Sequence, residues 1–439
     1  MSDDPTAAPP VVEVEDTGGW RVVWLGTADV RVGVVPALGG RVLSLATHAG
    51  EHLFRNPELL DGALHPAAQA AASRDVRDCG LGSWTNWGGD KTWPAPQGWS
   101  GPGEWPGPPD PVLDGGPYAA SWASVGTSAS VEMRSPADPR SGLRICRKVE
   151  VVPGTSGYRL TSTFTNVSDR EVRWAIWQVV QLPGPEPGPG GTAGGALGIW
   201  VGNEPGRGVT VEHLIAGTGH VKVNAMCDHA AWVPPQDVVG KVGFPAATGW
   251  AAHAAAGRVT ILRSVVEAEP TANYPDRGSR VEVWLEHPLR EPLAQLGGLH
   301  PRHRITECEV LGPLQAIPPG SSTQLVSDVT GCSGEGPVYD VREGACLLEP
   351  LVVVTEESRL RVKARIGAFR TLPVALGFLD GDGALVGEVP LGPSSAGFPF
   401  EVRWAAVAPA STASVVVRLG ATVVAEALAG RVGEQEGKA

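Results

Sequence analysis

Short runs in which apolar and polar residues alternate dominate the chain from residue 20 onward. The clearest run is 143–151, where Leu143, Ile145, Val149 and Val151 share one face, as the two-residue period of a strand requires. Glycine and proline separate further β-prone runs at 22–25, 30–35, 41–46, 158–166, 172–182, 281–285 and 304–311. No long amphipathic helical pattern occurs, and the alanine-rich stretch 66–76 is the best candidate for a short helix. The pattern predicts an all-β chain.

Shifts in composition divide the chain into three parts. Residues 1–18 are acidic and rich in proline and alanine, which predicts a flexible N-terminal tail. Residues 19–332 carry the runs above and predict one large antiparallel β domain, with a mobile glycine- and proline-rich loop at 183–198. The glycine-rich stretch 331–337 marks a boundary. Beyond it, residues 338–430 predict a small C-terminal antiparallel β-sandwich, with strand-like runs at 359–366, 415–419 and 422–425 and a hairpin at 379–386.

One segment, residues 83–99, combines four tryptophans with polar side chains among glycines and prolines. No helix or strand period runs through it, and Pro94 and Pro96 argue against a core strand, so a structured loop is predicted. Flat rings beside fixed polar groups suit a sugar, which has apolar C–H faces and hydroxyl edges. The alternative is a loop that only plugs one end of a β core. The residues predicted to bind substrate here are Asn86, Trp87, Trp93 and Trp99.

Composition narrows the function further. A net charge of -12 argues against a nucleic-acid or anionic-membrane partner, because either requires a basic surface. No apolar run approaches the ~20 residues of a membrane span. Trp 15 outnumbers Phe 7 and Tyr 4, which favours carbohydrate contact. The six cysteines form no C-x-x-C pair, so reduced thiols in a cytoplasmic protein are expected.

Two carboxylates are the strongest candidates for catalysis. Glu307 and Glu309 lie on the same strand face as Ile305 and Leu311, with roughly 6–7 Å between neighbouring positions on that face. Apolar surroundings raise the pKa of a carboxyl group, which suits a general base. The alternatives are a solvated outer face or ion pairs with nearby arginines.

Arg147 lies on the apolar face of the run 143–151, so it needs either a ligand or a buried structural ion pair. The ten histidines have no metal-binding spacing. No G-x-S-x-G elbow, no phosphate-binding P-loop and no G-x-G-x-x-G motif after a strand occurs. No metal and no cofactor are therefore expected.

The order of several segments resembles the bacterial family DUF4380, a member of the galactose mutarotase-like superfamily. The resemblance covers about residues 20–330, and its most specific part is the run GGDKTWPAP. The segments that carry it are LGGRV at 38–42, NWGGDKTWPAP at 86–96, AIWQVV at 175–180, GWAA at 249–252, ECEVLGP at 307–313 and PPG at 318–320.

The resemblance implies a β-supersandwich of large antiparallel sheets whose concave face binds sugars. In the aldose epimerases of this superfamily, a glutamate on a late strand removes a proton from the anomeric hydroxyl and a histidine protonates the ring oxygen. Glu309 matches that glutamate. Where those epimerases carry a histidine, this chain has Trp87, and its mid-chain strand has Trp177 and Gln178. The acid is thus absent from its expected places.

Two classes of function follow for a small-molecule sugar or sugar derivative. The first is an epimerase- or mutarotase-like enzyme with Glu309 as base, and with Lys91, Asp90 or an unplaced histidine as acid. The second is a non-catalytic carbohydrate-recognition protein. A glycan-cleaving enzyme that pairs Glu309 with Asp90 is a weaker third reading. Glu307 is the further catalytic candidate, and Arg147 and Gln178 are predicted to contact the sugar.

Overall fold

A computed structural model of the protein describes residues 9–67, 80–98, 103–188, 195–265, 272–356 and 359–429. Apart from short helical turns at Leu81–Ser83, Pro275–Gly278 and Ala294–Leu296, the regular elements in these ranges are strands. The predicted all-β fold is confirmed. No helix in the described part of the chain is long and apolar enough to cross a membrane.

The larger domain is formed by the first twenty-two of the described strands. In chain order they are β1 (Val11–Asp16), β2 (Arg21–Gly26), β3 (Val30–Val35), β4 (Arg41–Thr47), β5 (Gly50–Glu51), β6 (Asp90–Ala95), β7 (Ala119–Val125), β8 (Ser128–Arg134), β9 (Leu143–Val151), β10 (Gly157–Asn166), β11 (Val172–Pro183), β12 (Gly198–Asn203), β13 (Glu212–Ala216), β14 (Asn224–Cys227), β15 (Ala230–Val233), β16 (Gly240–Phe244), β17 (Ala247–Ala255), β18 (Arg258–Ser264), β19 (Val281–Glu286), β20 (Ile305–Leu311), β21 (Gln315–Ile317) and β22 (Ser322–Ser333).

These strands form two large antiparallel sheets. The 12-stranded sheet runs in the order β1-β2-β3-β4-β6-β11-β20-β19-β16-β13, with β5 and β21 paired at its side. The 10-stranded sheet runs in the order β14-β15-β12-β17-β18-β22-β10-β9-β8-β7. A continuous apolar core contains Val179 and Val310 of the first sheet together with Ile145 and Phe164 of the second. The two sheets are therefore stacked face to face.

The C-terminal part consists of two four-stranded sheets packed around a separate core. Its strands are β23 (Asp340–Arg342), β24 (Ala345–Glu356), β25 (Arg359–Ala368), β26 (Pro373–Leu379), β27 (Leu385–Pro393), β28 (Phe398–Ala406), β29 (Ser414–Leu419) and β30 (Thr422–Leu428). A further apolar cluster, including Trp200, Cys332, Cys346 and Phe369, joins this sandwich to the larger domain. These sheet memberships support the domain boundary that we propose between residues 332 and 338.

Two local expectations are wrong. Asp90–Ala95 form strand β6 rather than a loop. Proline is tolerated there because β6 pairs along its whole length with β11 alone. Its pairing with β4 is confined to Asp90, so the side of Pro94 that faces away from β11 has no neighbouring strand. The tail predicted for residues 1–18 is not loose throughout, since Val11–Asp16 pair with β2. The helix predicted at 66–76 lies almost entirely outside the described residues.

Candidate active site

A cavity of about 600 Å³ opens on the face of the 12-stranded sheet that points away from the second sheet. Tryptophan rings form much of its apolar wall, and three carboxylates and a lysine provide most of its charge. These lining residues are Trp84, Trp93, Trp177, Trp284, Glu286, Glu307, Glu309 and Lys241. Such a mixture of aromatic wall and few polar groups is typical of a small-molecule site.

Strand alternation explains why these side chains meet. The strands β6, β11, β20, β19 and β16 are consecutive neighbours, and the cavity-lining side chains of each lie on one face of this sheet. Register then sets the pairs: Trp93 lies opposite Trp177, Glu309 opposite Glu282, and Trp284 opposite both Glu307 and Lys241. Residues distant in sequence are thus brought together by a single sheet.

Glu309 is anchored by Trp177 and Lys241 through one of its two oxygens. The indole Nε1 of Trp177 donates a hydrogen bond of 2.5 Å to Oε2 of Glu309. Lys241 Nζ lies 2.9 Å from the same oxygen and 2.5 Å from Oε2 of Glu282. Glu309 is fully buried. Its Oε1 accepts no hydrogen bond from a donor group of the described residues, but the carboxyl of Glu282 lies within hydrogen-bonding reach of the Glu309 carboxylate. Because Glu309 lines the cavity, its carboxylate is positioned to contact a ligand there.

Burial and neighbouring charges adjust the basicity of this cluster. Burial raises the pKa of Glu309 above its ordinary value, while the Lys241 ammonium acts in the opposite direction. Burial alone would lower the pKa of Lys241, but the carboxylates of Glu282 and Glu309 raise it above its ordinary value. Lys241 therefore stays charged and holds Glu309 in place, while Glu309 is a stronger base than an exposed glutamate.

Glu307 has a different set of partners. Lys91 Nζ donates to Glu307 Oε1 at 3.0 Å, and Gln181 Nε2 donates to the same oxygen at 2.6 Å. Burial lowers the pKa of Lys91, although Glu307 opposes this shift. The Lys91 ammonium also lies 4.8 Å from the ring centroid of Trp93, within the range of a cation–π contact. Lys91 is thus a readier proton donor than an exposed lysine.

A third carboxyl group, Glu286, lies further along the cavity. Trp284 Nε1 donates to Glu286 Oε1 at 2.9 Å. Burial, together with the negative charge of Glu307, raises the pKa of Glu286 to about 7. Near neutral pH this group exists in both protonation states, so it can donate to or accept from a ligand hydroxyl.

We expect Glu286→Gln to raise the free energy of unfolding at pH 8. The folded-state pKa of about 7 exceeds the ordinary value of 4.5, so the folded chain retains a proton that the unfolded chain loses between these pH values. The stability linked to that proton is complete at low pH and is lost as the pH rises through 7. Glutamine does not titrate, so urea unfolding should show a gain of about 1–3 kcal/mol at pH 8 and a smaller one at pH 5. An equal gain at both pH values would contradict the raised pKa.

The structure brings together Glu307, Glu309, Lys91 and Trp93, as the sequence predicts, but it places Trp87 elsewhere. Trp87 is buried in a separate apolar cluster, where its ring meets Trp20 edge to face. Asn86 supports local turns, since its backbone carbonyl accepts from Asn56 and its side chain accepts from the Gly88 amide. Trp99 lies outside the described residues.

The predicted placement of Asp90 beside Glu309 is wrong. Asp90 precedes Lys91 on β6, so its side chain points to the opposite face, between the two sheets. There Arg147 pairs with it at 2.6 Å, and Tyr158 and Gln178 donate to its second oxygen at 2.6 and 2.8 Å. Arg147 and Gln178 therefore contact Asp90 behind the cavity and do not line it. Of the two readings of Arg147, the structural ion pair is the one observed.

Six aromatic or charged residues line the cavity but are not among the site residues predicted from the sequence: Trp84, Arg140, Trp177, Lys241, Trp284 and Glu286. A signal for two of them exists, because the run 281–286 repeats the alternation of acidic and apolar residues seen around Glu307. Trp84 precedes β6 and is held by a hydrogen bond of 2.8 Å from its Nε1 to Asp114. Asp114 in turn pairs with buried Arg41. The sequence around Trp84 does not predict these contacts with Asp114 and Arg41.

Comparison with known proteins identifies the family. The model described as a domain of unknown function, DUF4380, matches residues 21–327, so the chain belongs to the DUF4380 family, as its sequence motifs predict. No curated protein sequence matches the chain.

The similar solved structures include proteins described as galactose mutarotase-like. One, from Clostridium acetobutylicum, has 9% identity and a TM-score of 0.45, covering 74% of this chain and 99% of that chain. Another, from Lactobacillus casei, has 11% identity and a TM-score of 0.44, covering 71% and 99%. A TPR-domain containing protein from Parabacteroides distasonis has 14% identity and a TM-score of 0.46, and the match covers 74% of this chain but 49% of that one. These structures are only distantly similar to this chain, and we assign none of their activities to it.

Proposed function

We propose that this protein binds a sugar or sugar derivative in the tryptophan-lined cavity and acts on it by acid–base chemistry at or next to the anomeric carbon. The observation that carries the proposal is Glu309, a buried carboxylate that lines the cavity and is held at Oε2 by Trp177 and Lys241. A carboxylate held in this way is pre-positioned to accept a proton from a ligand hydroxyl.

Sugar binding is supported by the cavity wall. Four indole rings offer flat apolar faces to the C–H groups of a pyranose. The Nε1 of Trp93 is buried and has no hydrogen-bond partner among the described residues. This donor and the carboxylate of Glu309 are the polar contacts that we propose for the hydroxyl groups of the sugar.

In the proposed reaction Glu309 takes the proton of the anomeric hydroxyl, and the Lys91–Glu307 pair supplies the proton to the ring oxygen. Glu307 and Glu309 are two residues apart on one strand face, roughly 6–7 Å, which brackets the reacting end of one sugar ring. The lowered pKa of Lys91 favours proton release towards this end. No histidine is among the cavity-lining residues in the described ranges, so the pair takes the role of the expected histidine.

The test is anomer interconversion, followed by NMR, across free and phosphorylated aldoses, combined with sugar binding by calorimetry. Catalysis with saturation by at least one aldose supports the enzyme. Binding without interconversion of any aldose would replace it with the carbohydrate-recognition protein. Absence of both would reject the sugar site. The five cysteines in the described ranges are free thiols, which supports testing under the reducing conditions of the proposed cytoplasmic location.

We expect Trp84→Ala to weaken sugar binding by about tenfold to a hundredfold, because it removes one wall of the cavity and the apolar area it would bury against the ligand. Trp84 is half-buried, precedes β6 and packs at the margin of the apolar core, so urea unfolding of the variant should accompany the binding measurement. Trp122→Ala is the matched control, since Trp122 is exposed on β7 and does not line the cavity. Calorimetry that gave equal losses in the two variants would remove Trp84 from the site.

A further inference from the structure

A second cavity, of about 270 Å³, lies at the side of the 10-stranded sheet and shares no lining residue with the tryptophan-lined cavity. Its polar wall contains His52, His253, Thr260 and Arg258. His52 follows β5, His253 lies on β17, and Thr260 and Arg258 lie on β18. The proposed sugar chemistry uses none of these groups.

The hydrogen bonds of the two histidines differ. His52 is satisfied, since its Nε2 lies 2.8 Å from the Thr47 hydroxyl and its Nδ1 lies 2.8 Å from the Thr260 hydroxyl. His253 is hydrogen-bonded to the backbone carbonyl of Pro183, while its Nε2 has no partner among the described residues although the residue is only 2% exposed. The nitrogen facing a carbonyl carries the hydrogen, so Nε2 of the neutral ring is a bare acceptor.

Both rings are neutral at physiological pH. Burial, followed by the charge of Arg258, lowers the pKa of His52 to about 3. Burial lowers the pKa of His253 to about 4, with a further contribution from Arg258. Arg258 is therefore close enough to affect both imidazoles. Because His253 is neutral, its Nε2 can only accept a hydrogen bond. A ligand that satisfies it must therefore donate one.

Arg258 requires the opposite kind of ligand group, a hydrogen-bond acceptor with negative charge. Arg258 lines the cavity, and within the described ranges its guanidinium forms no ion pair with a carboxylate. The carboxylate that also lines this cavity, Glu186, is bound to Arg304 at 3.1 Å and is 82% exposed. In a chain with a net charge of -12, an unpaired arginine facing a cavity favours an anionic ligand.

We propose that this second cavity binds a small anion that carries a hydroxyl hydrogen, as hydroxycarboxylates and hydrogen phosphate do. Arg258 pairs with the negative charge, and Nε2 of His253 accepts the O–H. An anion without such a hydrogen leaves His253 unsatisfied and binds more weakly.

The test compares anions that differ by the hydroxyl hydrogen, at neutral pH and by NMR titration of the backbone amides of β17 and β18. Glycolate against acetate probes the hydroxycarboxylate class, and phosphate against sulfate probes the phosphate class. We expect saturable binding of glycolate, phosphate or both, at least about tenfold tighter than the partner that lacks the hydrogen. Whichever pair discriminates identifies the class. No saturable shift up to about 50 mM of any anion, or equal affinities within both pairs, would overturn the proposal.

Two variants separate the contacts. Arg258→Gln should weaken the bound anion by about tenfold or more, whereas His253→Phe should abolish the discrimination within each pair. Arg263→Gln is the matched control, because Arg263 lies on the same strand but pairs with Asp328 outside the cavity. Wild-type affinity in Arg258→Gln, with circular dichroism confirming that each variant is folded, would reject the assignment. Since the cavities share no residue, this result is independent of sugar binding.

Discussion

Replacing Glu309 with glutamine is expected to lower turnover by about 10²–10⁴-fold, the usual contribution of a general base, while sugar affinity changes little. The amide oxygen can still accept hydrogen bonds from Trp177 and Lys241, so the side chain keeps its place. What the variant lacks is a basic atom at the position of Oε1. The measurement is the rate of anomer interconversion under saturating sugar, with affinity determined separately by calorimetry.

Glu282→Gln provides a closely matched control. Glu282 lies directly opposite Glu309 and contacts the same Lys241, yet it does not line the cavity. Burial raises its pKa well above the ordinary value, so the uncharged amide removes a negative charge that burial already disfavours. We expect a loss of less than about tenfold in this variant. Equal losses in the two variants would assign the effect to the charge of Lys241 and not to proton abstraction by Glu309.

The sequence predicts the strands of the site well because one signal, the two-residue period, determines both the element and the face. Glu307 and Glu309 illustrate this: their spacing places them on the same face of β20, and the structure has both in the cavity. The same period carries Trp93 into the cavity, places Lys91 on the same face beside Glu307, and turns Asp90 to the other side. A loop at 90–95, as the prolines predict, carries no such alternation, and for that reason the predicted position of Asp90 is wrong.

The two-residue period of the sequence does not predict which residues are neighbours on adjacent strands. Lys241 meets Glu309 because β16, β19 and β20 are adjacent and their registers align. Alternation within one strand contains no information about which strand lies beside it. Trp177 shows the same limit, because its indole supports Glu309 across 132 positions of sequence. The partners of the catalytic candidate thus follow from sheet order, which only the fold supplies.

The ion pair of Arg147 with Asp90 leads to the second large effect. Both side chains are fully buried between the sheets, and Arg147 Nη2 lies 2.6 Å from Asp90 Oδ1. Removing one member of a buried pair leaves the other charge uncompensated in a low-dielectric interior. We therefore expect Arg147→Met to lower the free energy of unfolding by about 3–5 kcal/mol, measured by urea denaturation.

Lys148→Met is the control for this change, because Lys148 is the next residue on β9 and is exposed, so a change within about 0.5 kcal/mol is expected. The double variant Arg147→Met with Asp90→Asn should recover part of the loss, since asparagine carries no charge and its side-chain oxygen still accepts from Tyr158 and Gln178. Sugar affinity decides between the two roles of Arg147. If the arginine only holds Asp90, the fraction of Arg147→Met that remains folded binds sugar as the wild type does, because neither residue lines the cavity. A folded variant that lost binding would return Arg147 to the sugar site.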